Sequence, residues 1–299
     1  MEIFFAGSQS PESNVYMLSN HLNRLLSYAN DRTLINKWFE QAKEYDWKGK
    51  FFLDSGAFSA LTRGVTIDIY KYIDFVNQYG DKFYCYANLD VIPDEKSKKS
   101  VLECCEEGFN NFLIIQKHSK YPEKCCAVFH QGEPLFVLHK YIDYYKEHPE
   151  LKYFCFGGVA GGVGDGVFYF LEKMCRIFRK ELPNVKIHLL GYTKIAKLKH
   201  LQCDTVDSTT WIMAGANGRV MSPYGSLVVS ENLKTFPDSI YHLPEEAFNK
   251  TKKFIEDRGF TLEGLSKDYK QRCIYNIAYL QEAVKNVKYV PIMRKKSLI

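Results

Sequence analysis

Six short apolar runs each end on a residue that could do chemistry or approach a ligand closely. Asp54 follows FFL, Asp90 follows FYCYANL, Gln131 follows CAVFH, Gly157-Gly158 follows YFCF, Gly191 follows KIHLL, and Asp207 closes DTVD. Two carboxyl groups brought together can divide a displacement at a sugar carbon into two steps. One attacks the anomeric carbon, and the other handles the proton of the leaving group, as in retaining glycosidases. A glutamine amide donates and accepts at once, which suits the reading of a base edge. The six glycines of FGGVAGGVGDG (156–166) let the backbone come close to a planar ligand or a phosphate. Taken singly, each residue also reads as ordinary local structure: Asp54-Ser55-Gly56 as a turn capping a helix, Asp90 as another cap, Gln131 as a loop amide. Their common position at the ends of successive apolar runs is what points to one site. GGVAGG is not the dinucleotide fingerprint, because it follows a late strand and no acidic ribose reader comes on schedule after it.

The elements that must position these residues alternate. Strands are predicted at 3–7, 51–56, 83–90, 126–131, 153–158, 186–191 and 204–208, with an eighth at 219–229 interrupted by Pro223 and Gly225. Between them lie runs of helical period at 67–79, 134–148 and 167–182. Seven or eight such units predict an α/β chain folded as a (β/α)8 TIM-type barrel, whose strand carboxyl ends converge on one face. No repeat, low-complexity tract or linker divides residues 1–299, so a single domain is expected. Two helices from about residue 245 are expected to close the barrel, with a frayed basic tail, RKKSLI.

Composition narrows the function classes. With 46% hydrophobic and 15% aromatic residues in 299, the chain can bury a large core, which excludes a disordered protein. A formal net charge of +5 suits a polyanionic partner but falls short of a dedicated DNA-coating protein. The nine cysteines form no CxxC or CxCxxC pattern, which argues against a zinc knuckle or redox motif. They read as reduced, packed thiols in a cytoplasmic protein. MEIFFAGSQSPESN has no basic n-region or apolar h-region, and no run approaches the roughly 18 apolar residues of a membrane span, so neither export nor membrane insertion is expected.

The segments DSGAFS (54–59), NLD (88–90), FHQGEP (129–134), FGGVAGG (156–162), HLLGYTK (188–194) and DTVDSTT (204–210) occur in the order of a known family. Over residues 50 to 220 the chain resembles the tRNA-guanine and DNA 7-deazaguanine transglycosylases, whose first motif reads DSGGFQ. The resemblance implies Asp207 as nucleophile and Asp54 as general acid/base. It implies that Asp90 and Gln131 recognise a guanine-like base, with Ser55, Gly56, Gly157, Gly158 and Val159 around it. The zinc site of the bacterial and eukaryotic tRNA enzymes, CxCxxC and a later His, has no counterpart, since only Cys273 follows Cys203. No metal and no cofactor are therefore expected. The additional RNA-binding domains of the archaeal enzymes have no counterpart either. A compact zinc-free form is similar to the phage and mobile-element branch that inserts 7-deazaguanine derivatives into DNA and so evades restriction enzymes. The expected partners are DNA and a free 7-deazaguanine base, in the host cytoplasm if the chain is phage-encoded; a homodimer is left open. A compact tRNA-guanine enzyme, a non-catalytic base- or nucleic-acid-binding subunit and, outside the family, a barrel for a phosphorylated metabolite are the alternatives. Phosphate contacts are assigned by charge clustering to Lys194 and Arg219, with Lys197, Lys199, Lys285 and Lys288 as further candidates.

Overall fold

The computed structural model describes residues 1–7, 10–93, 99–158 and 164–292. Eight parallel strands close on themselves in chain order: β1 Glu2–Ala6, β2 Asn23–Ser27, β3 Phe51–Asp54, β4 Phe83–Ala87, β5 Cys125–His130, β6 Tyr153–Gly157, β7 Lys186–Leu189 and β8 Thr205–Ser208. β8 pairs with β1 from Glu2↔Thr205 to Phe5↔Ser208, which closes the barrel. Helices connect successive strands, among them Ile69–Tyr79, Leu135–Glu147 and Gly166–Glu181, as the helical periodicity predicts. Local chemistry sets their starts. Asp68 accepts from the backbone of Tyr70 and Lys71, and Ser100 with Glu103 forms a reciprocal capping box on the helix Val101–His118.

Strand alternation sorts the side chains into two cores. Phe4, Ala6, Leu25, Phe52, Cys85, Ala87, Cys126, Val128 and Cys155 fill the barrel interior. The neighbouring residues on each strand face outward and pack against the helices. All nine cysteines are free, and burial raises the Cys85, Cys126 and Cys155 thiols, so they pack as small neutral groups.

Two details of the strand reading are corrected. The eighth barrel strand is β2, whereas 219–229 forms a separate antiparallel hairpin, β9 Arg219–Ser222 with β10 Gly225–Val228. Arg24 disguises β2. This buried arginine sits mid-strand, lies 4.5 Å over the Trp38 ring and donates to Gly7 O at 3.0 Å and Asn14 Oδ1 at 3.1 Å. The C-terminal part holds three helices, Glu245–Glu256, Leu262–Lys267 and Tyr269–Lys285, because Asp268 stops the second and caps the third. The last helix runs beside β1 and meets the helix Thr210–Ala216 at Gly215, where a Cβ would lie 2.5 Å from Cys273 Sγ. The tail from 293 onward lies outside the described residues. No helix among the described residues is long and apolar enough to cross a membrane.

Candidate active site

Inward parity carries polar groups to the carboxyl end of the barrel on four strands: Asp54 on β3, His130 on β5, His188 on β7 and Asp207 on β8. At that end Ala6, Ala87 and Gly157 also lie on the inner face. The site thus sits where barrel enzymes place theirs.

Asp207 is buried and held on one side. Its Oδ1 accepts from the Gly191 N–H at 2.8 Å and lies 3.1 Å from His188 Nε2. His188 Nδ1 lies 2.8 Å from Thr205 Oγ1. Nε2 can donate to Asp207 while the Thr205 hydroxyl meets Nδ1 on the other side of the ring. The imidazole stacks on Phe52 at 4.6 Å and meets Phe4 edge-on at 5.9 Å. Among the described residues nothing donates to Asp207 Oδ2.

Asp54, on β3, is separated from β8 by β1 and β2 and faces a different environment. Burial and the nearby charges of Asp90 and Asp207 push its carboxyl up to about 7, against the opposing pull of the Gly56 N–H and His130. Gly56 donates to Asp54 Oδ2 at 2.9 Å. It does so from a left-handed conformation, φ 77°, where a Cβ would lie 2.5 Å from both Ala29 Cβ and Ser27 Oγ. The pair Asp54 and Asp207 therefore has one acid poised near neutrality and one carboxylate oriented by two donors.

Asp90 follows β4 and is held at both oxygens. The buried Ser55 hydroxyl donates to Oδ1 at 3.1 Å, and His130 Nε2 lies 2.9 Å from Oδ2. His130 Nδ1 in turn lies 2.8 Å from Glu133 Oε1. Gln131 is exposed just beyond β5, and its backbone N–H donates to Gly157 O at 3.1 Å. Gly158 has φ 72°, and a Cβ there would lie 2.9 Å from Gln131 N, so this close approach requires glycine. Val159 lies outside the described residues.

The structure thus gathers Asp54, Ser55, Gly56, Asp90, Gln131, Gly157, Gly158 and Asp207 at one end of the barrel. The basic candidates scatter. Lys194 is exposed beyond β7, on the site's side, while Lys197 pairs with Asp165 at 3.2 Å. Arg219 is engaged within the hairpin region, 2.5 Å from Asp238 and donating to Ser226 O. Lys199, Lys285 and Lys288 are placed at the opposite end: Val290 N donates to Lys199 O, and Tyr289 bonds Gln202 just before β8. Among the described residues no three His, Cys, Asp or Glu side chains are grouped to hold a metal.

His130, Glu133, His188 and Thr205 are the polar residues of this site that motif reading passed over. Alternation from the inward Cys126 and Val128 puts His130 on the inner face, and the same parity puts His188 there, so the signal lay in strand period. What fold and site together define is a (β/α)8 barrel with two carboxyl groups of unlike environment at its carboxyl-terminal mouth. Comparison with family models finds none that matches the chain, and comparison with curated proteins finds no significant relative.

Proposed function

We propose that this chain is a transglycosylase that exchanges guanine in DNA for a 7-deazaguanine derivative through a covalent aspartyl-glycosyl intermediate. The observation that carries the reading is the asymmetry of Asp207, whose Oδ1 is held by Gly191 and His188 while Oδ2 accepts nothing from the described residues. Oδ2 is the attacking atom. It bonds to C1′ as the C1′–N9 bond breaks, and Asp54 delivers its proton to the departing guanine. The incoming base then gives its N9 proton to Asp54 and attacks C1′, releasing the Asp207 carboxylate. Asp90 and Gln131 read the base edge, and the resemblance of the six motifs supports the same roles.

Exchange is tested with labelled guanine on duplex DNA, on the same duplex with the target guanine in a mismatch, and on tRNA. A stacked guanine offers neither its C1′ nor its edge to a barrel mouth, so extraction costs a few kcal/mol, less at a mismatch. Label should enter both DNAs, faster at the mismatch, with affinity falling as salt rises. Label entering only tRNA would replace the DNA reading with that of a compact tRNA enzyme. Label entering neither would leave a base-binding barrel without this chemistry.

A related expectation concerns His188. His188→Phe keeps the ring stack on Phe52 but removes one of the two donors to Asp207 Oδ1. When the C1′–Oδ2 bond breaks, resonance spreads the returning charge onto Oδ1, so with a donor to Oδ1 gone the resolution of the intermediate should slow by about 10²-fold. Covalent adduct should therefore accumulate while turnover falls. Turnover equal to the parent's, in a variant that melts at the same temperature, would remove His188 from the mechanism.

A further inference from the structure

We infer that His130 is a positioning residue for base recognition: clamped as an imidazolium between Asp90 and Glu133, it keeps Asp90 a pure acceptor and so selects bases presenting two adjacent N–H donors. The inference rests on reading this mouth as a site for a guanine-type base.

Both ring nitrogens face carboxylate oxygens, Nε2 at 2.9 Å from Asp90 and Nδ1 at 2.8 Å from Glu133. Ionised carboxylates only accept, so each ring nitrogen must carry a proton. All three side chains are about nine-tenths buried, with exposures of 10%, 11% and 9% for His130, Asp90 and Glu133. Burial alone pulls the imidazole toward its neutral form, but the hydrogen bonds to Asp90 and Glu133 raise it to about 10.

The remaining neighbours do not compete for the charge. Asp54 lies within electrostatic reach of the ring and is a further acid. Tyr141 and Cys105, beside Glu133, are both pushed up by burial and stay neutral. From β6 and the end of β7, Gly157 and Leu190 are uncharged. Gly157 and Gly158 also leave room for the ring: a Cβ at 157 would lie 3.1 Å from His130 Cδ2, and one at 158 would lie 3.0 Å from His130 Cβ.

Asp90 is the beneficiary. Ser55 and His130 fix one donor on each of its oxygens, which leaves about two of its roughly four lone-pair directions for a ligand. Adjacent N–H groups, such as N1–H and N2–H of guanine, match two such acceptors. A base lacking the exocyclic amine forfeits one of the bonds. Without the imidazolium, Asp90 and Glu133 would lose the counter-charge they share, and two buried carboxylates left together favour holding a proton, which replaces an acceptor by a donor.

The test measures binding of free bases without nucleic acid, so that no exchange can occur, in Asp54→Asn protein, so that Asp54 does not titrate. The probes are 7-deazaguanine and 7-deazahypoxanthine. The parent should bind 7-deazaguanine with nearly constant affinity between about pH 5.5 and 8, and prefer it over 7-deazahypoxanthine. Adding His130→Asn should weaken 7-deazaguanine binding by about tenfold or more at the acid end, restore it as pH rises, and erode the preference. Unchanged affinity, pH dependence and preference in the double variant would overturn the inference while leaving the site reading intact. Failure of the parent to bind 7-deazaguanine would overturn the site reading and the inference with it. Independently of how any variant folds, ¹⁵N spectra of histidine-labelled wild-type protein should show both His130 nitrogens protonated across this range. A neutral tautomer at neutral pH would also overturn the inference.

Discussion

Asp207→Asn is expected to abolish base exchange, with a loss of about 10⁴-fold or more, because it removes the only nucleophile the mechanism has. The asparagine is the sharper probe than alanine. Its carbonyl oxygen can still accept from Gly191 and His188, so the two donors that hold the native carboxylate stay paired. Asp207→Ala leaves both buried donors without an acceptor, which costs about 1–3 kcal/mol and mixes a folding defect into the kinetic one. The fold should tolerate the asparagine well, since the strand pairing of β8 with β1 runs through the backbone. Denaturing electrophoresis of protein incubated with DNA should show a covalent band for wild type and none for Asp207→Asn, at equal melting temperature. A variant with near-normal turnover, or one that still forms the band, would take the nucleophile's role away from Asp207.

The barrel was legible because its strands end abruptly. In β3, β7 and β8 a short apolar run meets a polar or glycine residue, which is the signature of a buried parallel strand delivering its last residue to a loop. Asp54, Asp90, Gln131 and Asp207 were visible for the same reason. β2 was not, because Arg24 breaks the apolar run at the point where a buried guanidinium ties the strand to Gly7, Asn14 and Trp38. Those contacts are tertiary, and no local pattern announces them. The hairpin at 219–228 was read as a barrel strand because its apolar content is similar, although Pro223 and Gly225 mark the turn that makes it two strands.

The site's inner histidines show a different limit. His130 and His188 lie within the motif segments FHQGEP and HLLGYTK, yet their partners Asp90 and Asp207 are 40 and 19 residues away in sequence. Clustering of charge in sequence is likewise not clustering in space. Lys285 and Lys288 share a charged stretch of sequence, but the last helix carries that stretch down the outside of the barrel, away from the site. Proximity in sequence and proximity across a barrel are unrelated once a helix of 17 residues intervenes.

Asp54→Asn should separate the two halves of the reaction and reveal its own protonation in stability. In the native protein the Asp54 carboxyl stands at about 7, whereas in the unfolded chain it returns to an ordinary value of about 4. Between these values the native state binds the extra proton, so this group's contribution to stability is full below about pH 4 and is lost as pH rises toward 7. An asparagine cannot ionise and escapes that loss. The melting temperature of Asp54→Asn minus that of wild type should therefore grow between about pH 4 and 7 and level off above. In the reaction, formation of the adduct needs the acid form of Asp54 and should decline above about pH 7 in wild type. In the variant it should be slower by about 10²–10⁴-fold and lose that pH dependence. Esterification of Asp207 removes one of the charges that raise Asp54, so the intermediate carries a stronger tendency to the carboxylate that must deprotonate the incoming base. The same residue is thereby shifted toward acid before attack and toward base after it. A stability difference that stays flat across the range, together with adduct formation indifferent to pH through neutrality, would mean that Asp54 is already ionised in the free protein and cannot be the proton donor.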